Sequence, residues 1–189
     1  MSKSRMEAFD AVMAIIMTVM VLEIKAPDSP HISGMINQIP YFLGYFISAT
    51  LICICWYNIT SISKAIHRVS EIGFAANIFF LLCMSILPVA TAWVSHYPYS
   101  QTTEYFYFIT YIIWTFSFFL LDYVMVRTNK KYFEKTYLRK HKRINLSHIF
   151  IEVPLGIAIM IVIYFIPISG IIFTIVLAAL WTVFDEFRA

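Results

Sequence analysis

The sequence predicts an all-α integral membrane protein with six transmembrane helices per subunit. Three observations carry this. Of 189 residues, 60% are hydrophobic and only 13% are charged, whereas a soluble domain is roughly half apolar and about a quarter charged. The apolar residues stand in long unbroken runs. The basic residues gather in alternate connections between those runs. A chain this apolar needs lipid as its solvent, and in lipid only helices or closed barrels satisfy every backbone group. A barrel would read as alternating segments of about ten residues; these runs are continuous, so helices follow.

A spanning helix needs about twenty mostly apolar residues. The first predicted span covers residues 6–24 and stops at Lys25-Ala26-Pro27. Its apolar part lacks a small-residue cleavage site before its end, so it reads as a span rather than a leader. The second covers 39–61 and is entered through Pro40. The third covers 72–93, with Pro88 near its far end. The fourth covers 104–126 and is rich in aromatics. The fifth covers 149–166 and ends at Pro167. The sixth covers 169–184. Between the last two, Ile166-Pro167-Ile168-Ser169-Gly170 requires a tight turn, because proline and glycine both break the helical pattern. The whole chain, residues 1–189, reads as one transmembrane domain.

Charge sets the orientation. Lys3, Arg5, Lys64, Arg68, eight cations between Arg127 and Arg143, and Arg188 lie on one side of this arrangement; Lys25 alone lies on the other. The positive-inside rule then places both termini in the cytoplasm of a multi-pass cell-membrane protein. Trp56, Trp93, Tyr97, Tyr99 and Trp181 fall near span ends, as interfacial aromatics do. The basic stretch 127–143 reads as a loop that sets topology and contacts anionic lipid heads. It is too short, and too close to the bilayer, for a nucleic-acid site.

The residues that could carry chemistry are few. Cys53 and Cys55 would stand about 200° apart on a helix, so they form no metal site, and with Cys83 they read as buried thiols. His31, His67, His96, His141 and His148 fall in predicted loops or helix ends, without metal-ligand spacing on one helix. No nucleophile–base arrangement points to an enzyme, and no motif points to a cofactor. The acids Glu7, Asp10, Glu23, Asp122 and Glu152 lie near span ends. Arg5, Asp10, Asp122 and Glu152 are expected to form a polar network at the inner side. A proton relay would place acids at mid-depth. A carbonyl-lined potassium filter and an arginine-rich voltage sensor are both missing from the sequence.

The first span adds a resemblance. The run Arg5-Met6-Glu7-Ala8-Phe9-Asp10, then the Ala-Ile-rich stretch with Thr18, then Leu22-Glu23-Ile24, resembles the first helix of the transmembrane protein 175 family of lysosomal-type potassium channels. Trp56, Asn77, Pro88 and Thr91 fall where family residues are expected. Two departures stand out. The family's Ser between Phe and Asp is missing, which rotates Arg5 by about 100° relative to Asp10. Ile59 and Thr60 stand where the family often has a His after the tryptophan.

The resemblance implies a homotetrameric potassium channel in the lipid bilayer, with K+ as the permeant ion and helix one lining a central pore. Its narrow points would be the apolar side chains of Ile15, Val19 and Leu22, with the Thr18 hydroxyl facing the ion. Arg5, Phe9, Asp10, Trp56 and Asn77 would be the structural motif. By spacing alone, Ile15, Val19 and Leu22 share one helix face and read as ordinary packing or lipid-facing residues, because helix one is apolar nearly all round; the resemblance is what implies a pore-lining role. Glu23, at the negative end of the helix dipole, reads either as a cation concentrator or as a solvated helix-end acid beside Lys25. The alternatives to a channel are a small secondary transporter, which would show internal repeats and broken mid-membrane helices, and a non-conducting membrane scaffold.

Overall fold

The structure, a computed structural model, describes residues 3–24, 26–27, 29–64, 66 and 69–186, and the side chains of all of these except 3–8, 61, 64, 140, 144 and 178–186. Lys25, His67, Arg68 and Arg188, and the side chains of Arg5, Glu7, Lys64 and Trp181, lie outside this set. The described residues are helical almost throughout. In chain order they form α1 (Lys3–Leu22), α2 (Ile32–Ile36), α3 (Ile39–Lys64), α4 (Glu71–Met84), α5 (Leu87–His96), α6 (Gln101–Thr128), α7 (Lys135–Phe165) and α8 (Ser169–Glu186), with a 3-10 turn at Lys130–Tyr132.

Among the described residues, four runs are long and apolar enough to cross a membrane: Ile32–Thr60, Glu71–His96, Gln101–Thr128 and Lys135–Phe165. The apolar part of α1, Phe9–Leu22, is shorter. Even so, its 20 residues reach about 30 Å, the thickness of a hydrocarbon core.

Several boundaries differ from those predicted. The third span is two helices, α4 and α5, separated at Ser85 and Ile86. Pro88 explains the break: it lacks the N–H that would bond to Met84, and its ring would crowd that carbonyl. The connection after α1 contains the short helix α2. The largest correction concerns the basic stretch. Arg127 still belongs to α6, the connection covers only residues 129–134, and from Lys135 onward the stretch is the first part of the 31-residue α7. Residues 135–153 contain no proline or glycine, and Lys, Arg and Leu are good helix formers. Tyr137 stacks between Phe133 and His141, at centroid distances of 4.9 and 5.7 Å, which seats the extension. His141 and His148 are therefore helical and buried. Cys55 and Cys83 are buried as expected, but Cys53 is exposed, because it faces away from the helices that pack on α3. The predicted turn before the last helix holds: α7 ends at Phe165 and α8 begins at Ser169.

The helices pack around α6. It touches α4, α5, α7 and α8, and half of its most apolar window is buried, against 11% for α7. Phe80 of α4 sits at the centre, fully buried, with its ring 6.1 Å from Phe9 of α1 and 6.4 Å from Phe118 of α6. In lipid this contact gains little from water exclusion; tight van der Waals packing and interhelical hydrogen bonds hold the helices together. Close approach needs small residues. A Cβ on Gly44 of α3 would lie 2.1 Å from Ser95 Oγ of α5, so glycine lets these two backbones meet. Nearby, Ser48 Oγ bridges Thr91 Oγ1 at 2.8 Å and the Tyr107 hydroxyl at 3.1 Å. Between the first turn of α3 and the last residue of α5, the Tyr41 hydroxyl bonds to His96 Nδ1.

Candidate functional site

Helix α1 is held by one face and open on the other. Phe9, Met13, Ile16 and Met20 are buried against the bundle. Their spacing follows the 3.6-residue turn, so they form one stripe. Helix α1 packs on α3 and α5, and Phe9 adds the ring contact to α4. The other stripe carries Ile15, Thr18, Val19 and Leu22, which follow the i, i+3, i+4, i+7 pattern. All four are exposed; Ile15 is 59% and Leu22 80% accessible in the isolated chain. Ile15, Val19 and Leu22 are thus large apolar side chains left largely uncovered by the rest of the chain.

Thr18 departs from the expectation in one detail. Its hydroxyl donates to the carbonyl of Ile15 at 2.7 Å. The proton is thus turned onto the helix, and the oxygen's remaining lone-pair capacity points away from it. A hydroxyl bonded this way is an acceptor for whatever lies beside the helix.

The other motif residues support α1 instead of lining its open face. Trp56 of α3 donates from Nε1 to Asp10 Oδ1 at 2.8 Å, tying α1 to α3. Asn77 lies half-buried on α4. With Phe9, Ser63 and Asp122 it lines a cavity of about 20 Å³, large enough for one water. Arg5 belongs to α1, but its side chain is outside the described set.

The expected inner network of Arg5, Asp10, Asp122 and Glu152 is not one cluster. Asp10 meets Trp56. Asp122 Oδ2 instead receives His141 Nε2 at 2.9 Å, with Asn145 also bonded to it at 2.5 Å. Glu152 stands 3.9 Å from His148 on its own helix. The cause is the extension of α7, which brings His141 and Asn145 beside the C-terminal part of α6. Among the described residues no group of three or more His, Cys, Asp or Glu could hold a metal ion.

Sequence reading missed two polar residues of consequence. One is His141, assigned to a loop. The other is Glu104, near the start of α6. It is fully buried, and its Oε2 accepts the backbone N–H of Ile171 at 3.0 Å. A carboxylate at this position satisfies an unpaired donor at the start of α8 and complements the positive end of its dipole. The nearest sequence signal was Gly170, where a Cβ would lie 2.5 Å from that same oxygen.

This arrangement resembles proteins already known. Residues 5–88 match the family model for the endosomal/lysosomal potassium channel TMEM175. A potassium channel of Chryseobacterium sp. (strain P1-3) is 30% identical over 190 residues, covering 98% of this chain and 95% of that protein. A potassium channel of Streptomyces collinus is 31% identical over 98 residues, about half of each chain. The fold matches the crystal structure of a lysosomal potassium-selective channel TMEM175 homolog from Chamaesiphon minutus, with a TM-score of 0.73, 21% identity and 98% of both chains covered. Because the Chryseobacterium channel is 30% identical along nearly the whole length of both chains, and residues 5–88 match the family model, the chain belongs to the TMEM175 potassium-channel family, alongside its bacterial members.

Proposed function

We propose that four copies of this chain assemble around α1 to form a potassium-selective channel whose filter is apolar. The observation that carries the reading is the open stripe of α1. Ile15, Thr18, Val19 and Leu22 are exposed, while the opposite stripe is anchored by Phe9, Met13, Ile16 and Met20. A fourfold axis beside that stripe would give successive rings of Ile15, Val19 and Leu22 side chains. The names of the relatives as potassium channels support the permeant ion.

The mechanism follows from hydration. A narrow ring of four isoleucines expels water and raises a barrier to any hydrated ion. Potassium is larger than sodium and holds its water less firmly. A ring that forces partial dehydration therefore hinders sodium more. The Thr18 ring lies next to the Ile15 ring, and its oxygens, with protons turned back onto the helix, offer replacement ligands. No carbonyl-lined loop takes part.

In this reading the subunit is a single domain spanning residues 1–189. It crosses the cell membrane six times, through α1, α3, the α4–α5 pair, α6, α7 and α8, with both termini in the cytoplasm, a placement the distribution of basic residues supports. No cofactor is required.

The test is ion flux into liposomes holding the purified protein, wild type against Ile15→Asn. A polar ring at this position rewets the constriction, so flux rises and discrimination against sodium falls. A subunit count by cross-linking accompanies it. Tetrameric, correctly inserted protein that passes no potassium would refute the channel and favour a transporter or scaffold. Potassium flux untouched by the substitution would move the filter elsewhere.

A further inference from the structure

Helix α7 carries a second organised surface, separate from the open stripe of α1. Arg139, Lys142 and Arg143 occupy one helical turn and are all exposed. Leu146, Ser147, Phe150 and Ile151 continue from them at the i+3 and i+4 steps that keep residues on one helix face. Phe150 is 75% accessible and Leu146 43%. Together these seven residues line one open groove of about 530 Å³. It runs from three cations to an apolar floor with about 17 Å between the Cα levels of Arg139 and Phe150.

We propose that this groove is a binding site for an anionic phospholipid, with the headgroup phosphate held by Arg139, Lys142 and Arg143 and an acyl chain lying along Leu146, Phe150 and Ile151. The order of chemistry along the helix argues for a lipid above other occupants. Charge and apolar surface follow each other within about three turns, as phosphate and chain do in a lipid. The guanidinium groups suit the phosphate oxygens, which they bind in paired, charge-assisted bonds. An acidic soluble partner would use the cations and leave the apolar half idle. Two exposed lysines at the same end of the molecule, Lys130 and Lys131, lie off this stripe and serve as a contrast. The inference rests on the membrane fold alone, so a protein that conducts nothing could still bind the lipid.

Native mass spectrometry of the full chain, in its own oligomer, in micelles containing equal phosphatidylglycerol and phosphatidylcholine, tests this. The wild type should retain phosphatidylglycerol preferentially. In Arg139→Gln/Lys142→Gln/Arg143→Gln the retained ratio should fall about fivefold or more, while Lys130→Gln/Lys131→Gln leaves it near the wild-type value. Phe150→Ser should weaken retention of both lipids, and free glycerophosphate should not displace them. If the triple variant is not recovered folded, Lys142→Gln alone should lower the ratio by about two- to fivefold. An unchanged ratio in the triple or the single variant overturns the proposal. So does an equal loss in the Lys130/Lys131 variant, which would mean diffuse attraction. A changed subunit count with unaltered lipid per subunit also overturns it, since a second copy of the chain would then cover the face.

Discussion

The Asp122 carboxylate of α6 and the His141 imidazole of α7 meet at 2.9 Å, and both side chains are buried. Asn145, one turn further along α7, binds the same oxygen. This contact fastens the extended start of α7 to the C-terminal part of α6. Removing the imidazole strands a buried carboxylate with fewer donors, so His141→Ala should lower stability by about 1–3 kcal/mol. The loss should shrink in an Asp122→Asn background, where no charge is left stranded. The midpoint of unfolding in mixed detergent, measured for both singles and the double, checks the coupling; simple additivity would mean that the two groups act independently.

Glu104 and Gly170 form a second coupled pair. Glu104→Ala removes the acceptor for the Ile171 N–H and should cost about 1 kcal/mol, as loss of a helix cap does. Glu104→Gln keeps a carbonyl oxygen and should cost less. Gly170→Ala pushes a methyl group against Glu104 Oε2 and Ile163, with an overpacking cost of about 1–3 kcal/mol. That cost should fall when Glu104 is already alanine. An alanine at 170 tolerated equally in both backgrounds would refute the steric link.

Trp56 and Asp10 provide a test of how α1 is seated. Trp56→Phe keeps most of the ring and loses the Nε1–H that Asp10 Oδ1 accepts at 2.8 Å. A stability loss of about 1 kcal/mol is expected, since the pair is only partly buried and interhelical bonds in membranes are modest. The open stripe of α1 is not touched by this change. Flux measurements should therefore find altered rates with the order of ion preference preserved; an inverted order would make Trp56 part of the filter.

Thr18 separates the two ingredients of the proposed filter. Thr18→Val is close in shape but has no oxygen, so the apolar ring at Ile15 stays while the adjacent ligands disappear. Potassium flux should drop about tenfold, which corresponds to about 1.4 kcal/mol on the barrier. Thr18→Ser should retain most of it. Equal flux through all three proteins would leave the hydroxyl without a role.

Much of this molecule was legible in the residues themselves. Composition placed the chain in lipid, where only helices or closed barrels satisfy the backbone, and the unbroken apolar runs chose helices. Pro167 and Gly170 marked the turn before α8, and the spacing of Ile15, Val19 and Leu22 put them on one face. What spacing could not decide was which face of α1 the bundle would cover. In lipid both faces of a helix are apolar, so hydrophobic periodicity, the usual guide to the buried side, carries no information. Only the packing of Phe9 on Phe80 and of α1 on α3 and α5 decided it. The same holds for the polar pairs. Nothing in the local sequence joins Asp122 to His141 or Glu104 to Ile171; those bonds exist because tertiary packing brings the end of one helix beside another, where a buried polar group must find a partner.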